Sequence, residues 1–299
     1  MRRRFVTLDV FTTRRFAGNP LAVVLDSDEL DTEGMAAIAR EFNLSETVFV
    51  LPPADARHRA RLRIFTPGRE LPFAGHPTVG TAVLLGLRAE NGADAMAFGL
   101  EEGVGIVPCV VEPRGPGEGY ARFRLPRLPA VQEGAPDPVQ AAWALGLDPA
   151  QIGFDRHLPS RHSAGNPFDF VPVNSLDAIG RARPIAEAFD KVFGDGPGVY
   201  VYTRETALDG RHFHARMFGS PGIGVGEDPA TGSAAAAFAG VMMQFEPRGD
   251  GEHAVVIEQG YEMGRPSEID LQITIREGAL ASAEIGGSAV VVSEGEIEA

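Results

Sequence analysis

Short runs of β-branched and apolar residues, each closed by turn formers, set the rhythm of the early chain. Residues 5–8, 22–25 and 47–51 are such runs and predict strands. Between the last two the spacing changes. Met35, Ile38, Ala39 and Phe42 recur at helical intervals over residues 31–42, with acidic residues in the first turn, which predicts a helix. Further strands are expected at 60–65, 104–111 and 120–125. Pro126-Arg127-Leu128-Pro129 and the Pro/Gly-rich stretch to Pro138 then read as a linker, so a domain boundary is expected near residue 126. Beyond it the pattern predicts helices over 139–145 and 185–193 and strands over 170–173, 198–203, 212–218, 255–259 and 269–275. A last strand over 290–293, after Gly286-Gly287, is free to pair with either half.

Two segments resemble each other, as expected of a duplicated unit. They begin at Phe65 and Phe218, and each runs into an Ala-rich apolar helix. His76-Pro77-Thr78-Val79-Gly80-Thr81-Ala82 matches Asp228-Pro229-Ala230-Thr231-Gly232-Ser233-Ala234 as polar-Pro-x-x-Gly-[Thr/Ser]-Ala. Proline is favoured at the first helical position, which places His76 and Asp228 at or beside an N-cap. Amide groups at two helix starts that face each other could hold a carboxylate. Gly222, Gly224 and Gly226, ahead of Glu227-Asp228, suggest a loop wrapped around something small. The plainer alternative makes Asp228 an ordinary cap and the glycines ordinary turns, while His76 is a poorer cap than Asp or Ser. Glu46 ends a predicted helix-to-strand passage. A carboxylate at the mouth of a buried strand is partly desolvated, which lifts its pKa toward the range where it can take and return a proton. The bland reading is a solvated residue at a strand edge.

Composition narrows the classes. The chain has 299 residues, 44% of them hydrophobic, enough for two ordinary domains. Its 41 acidic against 27 basic residues give a net charge of -14, which repels a phosphate backbone, so no nucleic-acid partner is expected. Cys109 is the single cysteine, which excludes an intrachain disulfide, a CxxC pair and a multi-thiolate metal site and fits a reducing cytoplasm. The seven histidines lack HExxH or similar spacing, and no metal is expected. Met1-Arg2-Arg3-Arg4 has the charge of a signal n-region, but no apolar h-region follows it. The apolar run over 234–243 is shorter than the roughly 20 residues a membrane helix needs. A cytoplasmic protein away from membranes is therefore expected.

Asp9-Val10-Phe11, Gly18-Asn19-Pro20-Leu21-Ala22-Val23, Asn43-Leu44-Ser45-Glu46, Phe65-Thr66-Pro67, Glu70-Leu71-Pro72-Phe73-Ala74-Gly75-His76-Pro77, Gly226-Glu227-Asp228-Pro229-Ala230-Thr231-Gly232-Ser233-Ala234 and Gly264-Arg265-Pro266-Ser267 span nearly the whole chain. Together they resemble, in order, the motifs of the PhzF-like (phenazine biosynthesis) family. The resemblance implies an α+β, diaminopimelate-epimerase-like fold of two pseudo-symmetric domains, each a curled, mostly antiparallel sheet around a central helix. With the boundary read near residue 126, the domains are expected at 1–125 and 126–285, with 286–299 free to return to the first, and the resemblance places the site in the cleft between halves. It implies a cofactor-independent isomerase acting on a small carboxylate-bearing substrate, of which trans-2,3-dihydro-3-hydroxyanthranilate is the best-known, and a homodimer. By motif, Glu46 is the acid/base group and His76 and Asp228 orient substrate and relay protons. Gly75, Gly232 and Ser233 bind the substrate carboxylate or hydroxyl. Racemases of this fold place two thiols where this chain has Ala74 and Thr231, so thiol chemistry is excluded, and Cys109 reads as an inert strand residue.

Other classes remain for comparison. A nucleotide-dependent oxidoreductase would use the glycine clusters, but Gly222-x-Gly224-x-Gly226 lacks the last spacing of GxGxxG, and no GxxxxGK[ST] occurs. A serine hydrolase built on Ser233 and His76 would need a GxSxG elbow, and Thr-Gly-Ser-Ala is not one. A non-catalytic small-molecule binding protein of the same fold would be expected to have lost the acid/base residue, whereas Glu46, His76 and Asp228 are all present.

Overall fold

The structure is a computed structural model that describes residues 2–89, 94–194, 196–220 and 226–299. The chain divides into two compact units, Met1–Pro126 with Ile285–Ala299, and Arg127–Glu284.

In the first unit, β1 (Arg2–Val10) lies antiparallel to β2 (Asn19–Val24). Helix α1 (Thr32–Phe42) carries the chain across to β3 (Glu46–Leu51), which runs parallel to β2 with Leu21 opposite Glu46. The helix forms where expected for visible reasons. The Asp31 carboxylate accepts the Gly34 N–H at 2.8 Å, and Met35, Ile38 and Ala39 bury their face against Val24, Phe49 and Phe65. Asn43 ends it in the left-handed region at φ 51°, a conformation Asn tolerates better than most residues.

Strand β4 (Ala60–Phe65) returns antiparallel to β3 and turns into β5 (Glu70–Leu71), pairing Phe65 with Glu70. Helix α2 (Gly75–Leu87) follows, then β6 (Met96–Glu102) parallel to β4, and the antiparallel β7 (Gly105–Gly115) and β8 (Glu118–Arg124). Every residue of α2 from Gly75 to Gly86 is buried, so this helix is enclosed by its unit rather than laid on it. Gly80 shows how close the wrapping is, since a Cβ there would stand 2.7 Å from both Leu21 Cδ2 and Val10 Cγ2.

The second unit begins with β9 (Ala130–Val131), α3 (Pro138–Ala144), and β10 (Ser160–Ser163) antiparallel to β11 (Pro167–Pro172). Helices α4 (Leu176–Arg181) and α5 (Ala186–Phe193) lead to β12 (Gly198–Thr203), parallel to β11. Strand β13 (Phe213–Gly219) is antiparallel to β12 and pairs Phe218 with Glu227 of β14 (Glu227–Asp228). Then come α6 (Gly232–Phe245), β15 (Gly251–Gln259) parallel to β13, and β16 (Ser267–Arg276) antiparallel to β15. Helix α6 is buried from Ala234 to Met242. Its Phe238 ring meets Tyr202 and Phe213 edge-on at 4.9 Å.

The final strand, β17 (Ala279–Glu298), begins in the second unit and ends in the first, where residues 289–298 pair antiparallel with β1. The strand expected over 290–293 is thus one part of a 20-residue element. The stretch read as a linker contains β9, which pairs with β10 through Val131 and His162. Sequence patterning does not show β6 or β10. Gly99 interrupts the first, and Ser160-Arg161-His162-Ser163 has no apolar alternation at all. Among the described residues no helix is long and apolar enough to cross a membrane.

Candidate active site

Glu46 is the first residue of β3, Asn19 the first of β2 and His76 the second of α2, and the structure brings the three together. His76 Nε2 lies 3.6 Å from Glu46 Oε2, with the histidine side chain 5% exposed and the glutamate 17%. The other ring nitrogen, Nδ1, is 3.4 Å from the amide nitrogen of Asn19, which is wholly buried. Burial pushes the His76 pKa down to about 3, so the ring is neutral at physiological pH. A neutral ring that accepts from Asn19 at Nδ1 carries its proton at Nε2, on the side of Glu46.

The helix starts depart from the expected geometry. Pro77 is the third residue of α2, not the first, and the N-cap is Ala74; Pro229 lies outside α6, whose N-cap is Thr231. His76 therefore sits two residues inside its helix, whereas Asp228 sits three before its cap, in β14. The polar-Pro match therefore pairs residues that stand at different positions relative to their helix starts. Aligning the caps instead sets Ala74-Gly75-His76 against Thr231-Gly232-Ser233, and β5 against β14. Gly222 and Gly224 of the proposed wrapping loop lie outside the described residues.

Helices α1, α3 and α4 are closed by the side chains of Asp31, Asp137 and Ser175. No side chain caps α2 or α6. The amide groups of Gly75 and His76 in one unit, and of Gly232 and Ser233 in the other, thus stand at the positive end of a helix dipole with no side-chain acceptor, the arrangement suited to an anion.

In the second unit a buried chain of hydrogen bonds holds Asp228. Thr231 Oγ1 donates to Asp228 Oδ2 at 2.6 Å, and Gln259 Nε2 donates to the Asp228 carbonyl at 2.7 Å. Gln259 Oε1 in turn accepts the Tyr200 hydroxyl at 3.1 Å and the Thr231 N–H at 3.2 Å. Next door, Arg216 clasps Glu227 through Nε and Nη2 at 2.8 and 2.9 Å and donates from Nη1 to the carbonyls of Ile179 and Ala182, each at 2.9 Å. A planar guanidinium in this bidentate geometry pins β14 to β13 and to the end of α4.

Asn19, Tyr200, Thr231 and Gln259 are absent from the residues assigned by sequence. Asn19 had a signal in Gly18-Asn19-Pro20, and Thr231 in its place beside Gly232. Tyr200 and Gln259 had none, because only the pairing of distant strands brings them to Asp228. Cys109 is buried in β7 and burial pushes its thiol up, away from the thiolate. Among the described residues no group of three or more His, Cys, Asp or Glu side chains is placed to hold a metal ion.

Residues 8–295 match the family described as phenazine biosynthesis-like protein. The chain belongs to that family. Its phenazine biosynthesis-like character extends to relatives of nearly equal length: the chain is 51% identical to an uncharacterized isomerase of Mesorhizobium japonicum, over 99% of this chain and 98% of the other. It is 37% identical to the trans-2,3-dihydro-3-hydroxyanthranilate isomerase of Pseudomonas aeruginosa, covering 98% of each. The crystal structure of a Bacillus anthracis phenazine biosynthesis protein of the PhzF family superimposes with a TM-score of 0.89 at 30% identity, covering 100% of both chains. This member of the phenazine biosynthesis-like family is an enzyme of the isomerase class, on a mixed fold of strands and few helices.

Proposed function

We propose that this enzyme is a cofactor-independent isomerase that moves a proton on a small carboxylate-bearing substrate of the trans-2,3-dihydro-3-hydroxyanthranilate type. The observation that carries the proposal is Glu46 Oε2 standing 3.6 Å from Nε2 of a buried, neutral His76 at an uncapped helix start. Glu46 takes a proton from one carbon of the substrate and returns it to another. The Nε2–H of His76 faces that carboxylate and steadies it in its charged state, while a ring that does not protonate cannot draw the shuttled proton away. The free amide groups at the starts of α2 and α6, Gly75 and Gly232 with Ser233, bind the substrate's carboxylate or hydroxyl. Asp228, oriented by Thr231 and Gln259, takes the remaining polar group and relays a proton to it.

The same reading includes a duplicated, pseudo-symmetric chain. From β1 to β7, and from β10 to β16, the strands follow in one order with the same pairing senses, although one helix, α1, stands between β2 and β3 where two, α4 and α5, stand between β11 and β12; the short strands β5 and β14 each precede an enclosed helix. The test of the function is NMR in D2O with trans-2,3-dihydro-3-hydroxyanthranilate and a panel of cyclic amino and hydroxy acids. The expected result is product with deuterium at carbon, lost in Glu46→Gln. Turnover undiminished in Glu46→Gln would refute the assignment.

A further inference from the structure

Thr78 lies in the first turn of α2, and its Oγ1 is 2.7 Å from the Ala74 carbonyl oxygen and 2.8 Å from Oε1 of Glu102, the last residue of β6. A hydroxyl has one hydrogen to give, and a carbonyl oxygen has none. The Ala74 contact takes the Thr78 hydrogen, so the Glu102 contact requires a hydrogen brought by the carboxyl itself. The surroundings agree. Glu102 is buried, its Oε2 has no hydrogen-bond partner, and burial, opposed by the Thr78 contact, pushes its pKa up to about 8.

Ala74 is the N-cap of α2, directly before Gly75 and His76. A second brace comes from the adjoining turn: Val104 N–H donates to the Pro72 carbonyl at 3.1 Å, and a Cβ at Gly103 would stand 2.8 Å from Pro72 Cα. We propose that Glu102 is a positioning residue, which through Thr78 holds the N-cap of α2 and so fixes Gly75 and the His76 ring in front of Glu46. Its part in turnover rests on the proton-transfer reading; its hold on α2 does not.

Few neighbours compete for the same proton. From β7, Cys109 is a buried thiol. Asp28 before α1, Arg61 and Arg63 of β4, Glu70 of β5 and Glu101 of β6 line the groove that Glu102 borders. Arg63 is engaged by Glu70, and Glu101 by the amides of Ala54 and Asp55 and by His58. From α2 the nearest titratable side chain in sequence, His76, is neutral. When Glu102 ionises, its carboxylate claims the Thr78 hydrogen and the Ala74 carbonyl loses that donor.

The experiment is an NMR titration of the folded protein between about pH 6 and 10, following the His76 ring and the Gly75 amide in wild type, Glu102→Gln and Thr78→Val. Glutamine keeps the shape and can donate to Thr78, but does not titrate. In wild type the two signals are expected to move together with a midpoint near 8; in Glu102→Gln that movement vanishes, and in Thr78→Val it shrinks several-fold. Where a substrate is in hand, wild-type turnover is expected to fall about tenfold for each pH unit above the midpoint, and the Glu102→Gln profile to lose that limb. Signals that stay still in wild type, or move equally in Glu102→Gln, would overturn the proposal. Should no substrate turn over, the titration still decides it, so failure of the isomerase reading is seen separately.

Discussion

His214 offers a quantitative test of the second unit's electrostatics. It pairs across β13 and β15 with Glu258, its Nδ1 2.7 Å from Glu258 Oε1, while its Nε2 lies 3.0 Å from Glu262 Oε1. Burial alone would lower its pKa, but the hydrogen bonds and charges of Glu258 and Glu262 outweigh burial and raise it to about 9 from 6.5. A histidine whose folded pKa is raised keeps its proton while the unfolded chain releases it. Its contribution is therefore complete below the unfolded value and is lost as pH climbs from 6.5 through 9. The size is about 3 kcal/mol, from roughly 1.4 kcal/mol per pKa unit. Glu258 is fully buried, so His214→Gln leaves a charge without its cation and should cost about 3–5 kcal/mol near neutrality. The assay is urea unfolding of wild type and His214→Gln at a series of pH values. Because Glu102 titrates alike in both proteins, its effect cancels in the difference. The gap between the curves should narrow by about 3 kcal/mol between pH 6.5 and 9, with m unchanged. Parallel curves over that window would refute the reasoning.

Two further outcomes are expected. Asn19→Leu removes the donor facing His76 Nδ1 and should cost about 1–3 kcal/mol of stability, and ring nitrogen chemical shifts should show the Nδ1–H tautomer gaining population. In the acid range Glu246 matters. Burial would raise its pKa, but the His157 hydrogen bond and the Arg204 charge hold it down to about 2 from 4.5, so stability should be lost as pH falls through that interval. Discounted for solvent screening this is about 1–2 kcal/mol, and it should be missing from the acid limb of Glu246→Gln in a denaturant titration.

Much of the local structure was legible because local signals and burial agree. Asp31 ahead of an amphipathic run predicts α1, and residues 60–65 and 198–203 alternate or stay apolar over the strands they form. What was not legible depends on contacts between distant residues. Nothing near Tyr200 or Gln259 announces that Gln259 links Tyr200 to Thr231, and nothing near Thr78 announces Glu102, since those meetings are made by the register of β12 with β13, of β13 with β15 and of β4 with β6. Proline misled in an instructive way. Pro77 at the third helical position and Pro229 outside its helix are both harmless because neither is asked for an intrahelical hydrogen bond, so the residue alone does not mark where a helix begins.

The path of β17 bears on the order in which the molecule can be completed. Residues 289–298 form the partner of β1, so one edge of β1 waits unpaired until the second unit has left the ribosome. Such an edge is an open template for wrong pairing, and closing so large a loop is slow. Arg2 and Arg4, opposite Glu298 and Glu296, put positive charge on the exposed end of the waiting strand, which discourages a like-charged edge and attracts the acidic strand that belongs there, while Arg3 is buried against Asp26 and Glu29. Loss of that strand would therefore leave two incomplete units rather than one, because its first residues belong to the second unit and the rest to the first.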